Sequence, residues 1–112
     1  MMTTLGQHWI LDAFECDLET LQDTRIFLDT LNELPSALKM TPVCEPQVYS
    51  EKNITAGLLL IAESHISLHA HHQSRQLHVD IFSCAEFNSE LAREVLTRRF
   101  RFSRFTERTI DR

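Results

Sequence analysis

The stretch LLLIAESHISLHAHH, Leu58 to His72, constrains the fold more than any other part of the chain. Leu58 to Ala62 is a continuous apolar run of the length and composition of a buried strand. It breaks at Glu63-Ser64-His65 and continues through His69, His71 and His72. A carboxylate, a hydroxyl and a cluster of imidazoles therefore follow directly on the most hydrophobic strand.

Around this stretch the pattern predicts β-α-β-β-β-α-β. GQHWILDAF (6–14) alternates, with Trp9, Leu11 and Ala13 on one face and His8, Ile10, Asp12 and Phe14 on the other. Asp17 suits the N-cap of a helix whose apolar stripe is Leu18, Leu21, Leu28, Leu31 and Leu34, and Pro35 is expected to end it. LKMTPVCEPQVYS reads as extended, and its prolines place it at a sheet edge. A buried strand at 57–62, a polar stretch at 63–76 and a returning strand LHVDIFSC (77–84) come next. Asn88 suits the cap of a second helix carrying Leu91, Ala92, Val95, Leu96 and Arg99, and FRFSRFT reads as a last strand. Such an order favours an α+β fold: a two-layer αβ sandwich, with two helices on one face of a mainly antiparallel sheet. At 112 residues the chain makes one domain, 1–112.

Residues 1–63 hold ten acids and three bases, whereas residues 64–112 hold six acids and eight bases. The arginines gather in RRFRFSRFTER, but the net charge of −5 opposes a polyanion, so no nucleic-acid partner is expected. No apolar run is long enough for a membrane span. MMTTLGQHW lacks the basic and apolar regions of a secretory signal, and Cys16, Cys44 and Cys84 form neither a disulfide framework nor a CxxC pair. A reduced, cytoplasmic protein is expected.

The histidines do not by themselves specify a metal site. His65, His69 and His71 would share a strand face, but no Cys or Asp ligand stands near them, and metal: none is the expectation. Ser64 lacks the glycines of a nucleophile elbow, and with glycine only at positions 6 and 57 no Gly-rich phosphate or oxyanion loop can form. From pattern alone, Ser64, Ser67 and the histidines are equally the solvated face of a strand after a turn.

Three segments together resemble one family, the small prokaryotic S-adenosylmethionine decarboxylase proenzymes, which process themselves and use a pyruvoyl cofactor. LGQHWILDAFECD resembles the family's opening strand, and AGLLLIAESHISLH its processing site. VDIFSC then places Cys84 twenty positions after Ser64, with His69 five after it. The resemblance implies cleavage between Glu63 and Ser64 into a β chain, 1–63, and an α chain, 64–112. Ser64 would become the covalent pyruvoyl group, whose ketone condenses with the substrate amine as a Schiff base and draws electrons from the carboxylate. His69 would assist processing and Cys84 would be the proton donor. A homodimer of αβ protomers is implied as well, and the edge of Phe100, Phe102 and Phe105 reads either as its interface or as the end of the core.

The departures fall at the substrate pocket. Where the family reads His-Thr-Trp-Pro-Glu, this chain reads His69-Ala70-His71-His72-Gln73, so Gln73 replaces the glutamate matched to the ribose hydroxyls. Ser50 stands where the family has an aromatic that stacks on adenine, although Tyr49 lies beside it. Ala56 replaces a serine implicated in processing, with Thr55 adjacent. Retained chemistry with an altered pocket, and an acidic N-terminal half, point to a cationic amino acid such as L-ornithine or L-arginine as substrate. The alternatives are S-adenosylmethionine itself, decarboxylated for spermidine synthesis, and an unprocessed regulatory paralogue.

Overall fold

The computed structural model describes residues 5–112; residues 1–4, part of the stretch read above for a secretory signal, lie outside it. Strands β1 (Gln7–Phe14), β2 (Gln47–Glu51), β3 (Ile54–Ile61), β4 (Ser64–His71), β5 (Gln76–Ser83) and β6 (Arg104–Asp111) form one sheet in the order β2-β3-β4-β5-β1-β6. Every adjacent pair is antiparallel. Helices α1 (Leu18–Gln22), α2 (Thr24–Leu38) and α3 (Ser89–Phe100) supply the second layer. The expected α+β sandwich is present, with a third helix. Among the described residues no helix is long and apolar enough to cross a membrane.

Period-two alternation sorts the sheet into two faces. Trp9, Leu11 and Ala13 of β1, Leu59 and Ile61 of β3, Ile66, Leu68 and Ala70 of β4, and Leu77, Val79 and Ile81 of β5 are buried against the helices. They meet Leu21, Phe27, Leu31, Leu34, Leu96 and Phe100, with Phe27 and Phe100 edge to face at 5.2 Å. Glu33 of α2 pairs with Arg98 and Arg99 of α3. Burial raises its carboxyl pKa, but hydrogen bonds from the two guanidiniums outweigh that and hold it below the usual carboxylate range.

Several expectations are corrected. The single helix from Asp17 is two, because Asp23 breaks the chain with extended backbone (φ −98°, ψ 106°) and caps α2 through the N–H of Arg25. Pro35 does not end that helix. It sits in the last turn, where it removes one donor, and its own carbonyl accepts the N–H groups of Lys39 and Met40. The polar stretch after Ala62 is strand β4, since Ile66, Leu68 and Ala70 bury one face while His65, Ser67, His69 and His71 occupy the other. The last strand begins at Arg104, because Phe100 ends α3 and Phe102 plugs the core, both buried. Phe100 and Phe102 are therefore core, and Phe105 packs against it, so these phenylalanines are not an exposed interface.

Nor is β3 buried on both sides. Leu58 and Leu60 are 44% and 49% exposed on the face without helices.

Candidate active site

The open face is organised as rows running across the sheet. Leu60, His65, Phe82, His8 and Ile110 form the row nearest the β3–β4 turn. Next come Gln47, Leu58, Ser67, Asp80, Ile10 and Arg108. Tyr49, Ala56, His69, His78, Asp12 and Thr106 form a third row. Two cross-strand pairs tie the histidines down: His8 to Asp80 at 2.9 Å and His78 to Asp12 at 2.6 Å.

Ser64 opens β4 and is paired with Ile61 on one side and Ser83 on the other. Its Oγ lies 3.1 Å from Nδ1 of His65. Cys84 directly follows β5, is exposed, and donates its backbone N–H to the carbonyl oxygen of Glu63 at 3.0 Å. The Glu63 carboxylate accepts the N–H of Thr41 at 3.1 Å, and the Thr41 carbonyl accepts the N–H of Ala62 at 2.8 Å. Glu63, Ser64 and Cys84 are thus brought together at one end of the sheet. The Glu63–Ser64 peptide is held with a donor already on its carbonyl, the geometry that stabilises charge developing on that oxygen.

The other expected residues lie elsewhere in the protomer. His69 is five residues along β4, roughly 16 Å at the strand rise per residue. Its ring sits 4.8 Å from His71, and its neighbours in register are Ala56 and His78. Partial burial, then the nearby His71 and His78, lower its pKa below that of a free imidazole, so it is neutral at pH 7 and able to accept a proton. Ser50 pairs with Thr55, and Gln73 lies exposed in the β4–β5 turn, both at the end of the sheet opposite Ser64. Beside Gln73, His72 is buried with Nε2 2.8 Å from the Thr55 hydroxyl and anchors that turn. Neither Ser50 nor Gln73 reaches Ser64 within one chain.

Two participants were not singled out by the sequence reading. His65 was weighed only as a metal ligand, yet it is the imidazole in contact with Ser64; its adjacency in sequence was the available signal. Thr41 carries no signal, since its contribution is a backbone N–H delivered by the chain path after α2. Among the described residues no three His, Cys, Asp or Glu side chains converge as a metal-ligand set.

Comparison with known proteins places the chain in a family. Residues 7–112 match the family model described as S-adenosylmethionine decarboxylase. An S-adenosylmethionine decarboxylase proenzyme of Clostridium botulinum (strain Loch Maree / Type A3) is 30% identical over 81 residues, covering 72% of this chain and 70% of the relative. One from Methanococcus aeolicus is 30% identical over 86 residues, 76% of this chain and 73% of the relative. The fold is similar to the crystal structure of the adenosylmethionine decarboxylase from Aquifex aeolicus, with a TM-score of 0.86, 21% identity, and coverage of 99% of this chain and 92% of that one. With the family model spanning nearly all the described residues, the chain belongs to the S-adenosylmethionine decarboxylase family.

Proposed function

We propose that this chain is a self-processing, pyruvoyl-dependent decarboxylase acting on S-adenosylmethionine. The observation that carries the proposal is the Glu63 carbonyl, held on the Cys84 N–H beside the Ser64 hydroxyl. In the first step Ser64 Oγ bonds to the Glu63 carbonyl carbon, the C–N bond breaks, and the hydroxyl proton passes to the freed amine. The chain is then joined by an ester. Loss of the Ser64 Cα proton with cleavage of the ester C–O bond leaves a Glu63 carboxylate and a dehydroalanine, which takes up water and releases ammonia to give the pyruvoyl group.

That group supplies a ketone acting as electron sink for the departing carboxylate. Cys84, exposed one residue beyond the strand that flanks Ser64, would return a proton to the substrate carbon. His65 is within hydrogen-bonding distance of the Ser64 hydroxyl and would polarise it, whereas His69 is neutral but distant. A homodimer resolves the distance. The open face carries Leu58, Leu60, Tyr49 and Ile110 exposed, which suits a second copy packed against it. Face-to-face packing would bring the partner's His69 toward Ser64 and serve elimination there.

Cationic amino acids are the weaker reading of the substrate. The relatives' names specify S-adenosylmethionine. The acidic surplus that suggested ornithine or arginine is largely engaged within the fold: Asp17 and Asp23 cap helices, Glu33 holds Arg98 and Arg99, Asp12 holds His78, and Glu63 holds Thr41. For adenine, Tyr49 of the second copy would supply the face that Ser50 lacks, since within one chain Tyr49 lies in the row of His69, away from Ser64. It lines a shallow depression of about 390 Å³ with Gln47, Ala56 and Leu58, and its hydroxyl donates to Glu51 at 3.0 Å. Aromatic stacking there would contribute about 0.5–1.5 kcal/mol. Release of CO₂ from S-adenosylmethionine, ornithine and arginine tests the substrate; turnover of an amino acid and not of S-adenosylmethionine would reverse the assignment.

A further inference from the structure

The scissile residue is held at two points, and only one of them is on the carbonyl that reacts. The Cys84 N–H reaches the Glu63 carbonyl oxygen at 3.0 Å, while the Glu63 side chain reaches away from the reaction to the Thr41 N–H at 3.1 Å. Thr41 in turn accepts from Ala62, and the adjacent Pro42 bridges to Ile61. The turn of the β3–β4 hairpin is thereby tied, through a carboxylate, to the segment that leaves α2. We propose that the Glu63 side chain is a positioning residue for self-cleavage: its bond to Thr41 fixes the rotation of the Glu63 peptide so that its carbonyl stays on the Cys84 donor while Ser64 Oγ attacks.

Two physical features support it. A hydrogen bond to a charged acceptor is stronger than a neutral one, so the tether resists the pull of a carbonyl carbon becoming tetrahedral. The two-residue turn, Ala62-Glu63, is held by backbone bonds from Ala62 to Thr41 and from Cys84 to Glu63, and the Glu63 side-chain bond adds a second link to Thr41 that sets the orientation of the peptide between them. The same tether would keep the new C-terminus of the β chain in place once the Glu63–Ser64 bond has broken, limiting loss of the fragment. The inference rests on the self-processing reading above.

The test uses the full chain, purified promptly, with cleavage followed by intact mass under denaturing conditions. Glu63→Gln keeps an acceptor oxygen and should cleave within about threefold of wild type, whereas Glu63→Ala should be slower by about tenfold or more. Melting temperatures of Glu63→Ala and its parent, both in a Ser64→Ala background that cannot cleave, should agree within about 2 °C. Glu63→Ala cleaving at the wild-type rate would overturn the positioning role. So would equal slowing of both variants, or a melting temperature that falls far enough to explain the delay. A wild-type chain that never cleaves removes the underlying reading instead, so the two failures are distinguishable.

Discussion

Replacing Gly6 by alanine is expected to slow self-cleavage without replacing any reacting group. A Cβ at Gly6 would lie 2.5 Å from the Ser83 carbonyl oxygen and 2.9 Å from Cys84 Cα, both backbone atoms. Gly6 cannot retreat easily, because its N–H and carbonyl are both bonded to Arg112, at 2.9 and 2.8 Å. Something must move by about half an ångström or more, since close-packed interiors do not absorb such overlap. If the Ser83–Cys84 backbone moves, the 3.0 Å bond from Cys84 to the Glu63 carbonyl lengthens beyond the usual range. Overpacking of this kind costs about 1–3 kcal/mol of stability. Loss of a donor to a developing oxyanion lowers a rate by about 10²–10³. Cleavage should therefore be about 100-fold slower at a temperature where the chain is fully folded. The assay is a denaturing time course of Gly6→Ala beside wild type, with folding confirmed by circular dichroism. A folded Gly6→Ala chain that cleaves at the wild-type rate would refute the role assigned to the Cys84 N–H.

Two further expectations concern titration. His69 owes part of its lowered pKa to His71, so His71→Gln should move the His69 titration measured by NMR back toward the free imidazole value, and an unchanged titration would contradict that coupling. Burial raises the Cys16 thiol from 9.0 to about 11, because the core accepts it only neutral. The folded form therefore holds its proton after the unfolded chain has lost it. Stability from this group is complete below pH 9 and declines between pH 9 and about 11, by about 2–3 kcal/mol in all. Cys16→Ala should remove that decline from the pH dependence of chemical denaturation, although its own cavity lowers stability at every pH.

Much of the fold was legible because the core obeys simple periodicity. Trp9, Leu11 and Ala13 alternate as a half-buried strand must, and Leu77, Val79 and Ile81 do the same. Strand β4 follows the identical rule through Ile66, Leu68 and Ala70, but its other face is so rich in histidine that composition obscured the alternation. The helix break at Asp23 depends on a side chain capping its own neighbour, which a leucine stripe continuing across it hides. Pro35 stays in α2 although it removes one N–H donor, and the helix ends a turn later at Leu38, with Lys39 in the left-handed region.

The site was legible in part. Glu63, Ser64 and Cys84 meet because β4 and β5 are paired from Ser64 and Ser83 onward, a register their alternating apolar faces impose. The distance of His69 from Ser64 follows from the five-residue spacing once the stretch is a strand, and reading it as an irregular polar segment hid that. Gly6 and Thr41 act through backbone, where residue type says little.

The central claim is that Ser64 converts itself into the cofactor, and intact mass of the purified chain under denaturing conditions tests it most directly. Two fragments dividing after Glu63 are expected, the C-terminal one blocked by a pyruvoyl group and gaining two hydrogens on treatment with borohydride. A single species near 13.0 kDa after prolonged incubation, unaltered by borohydride, would contradict the account and leave the unprocessed regulatory paralogue as the reading to pursue.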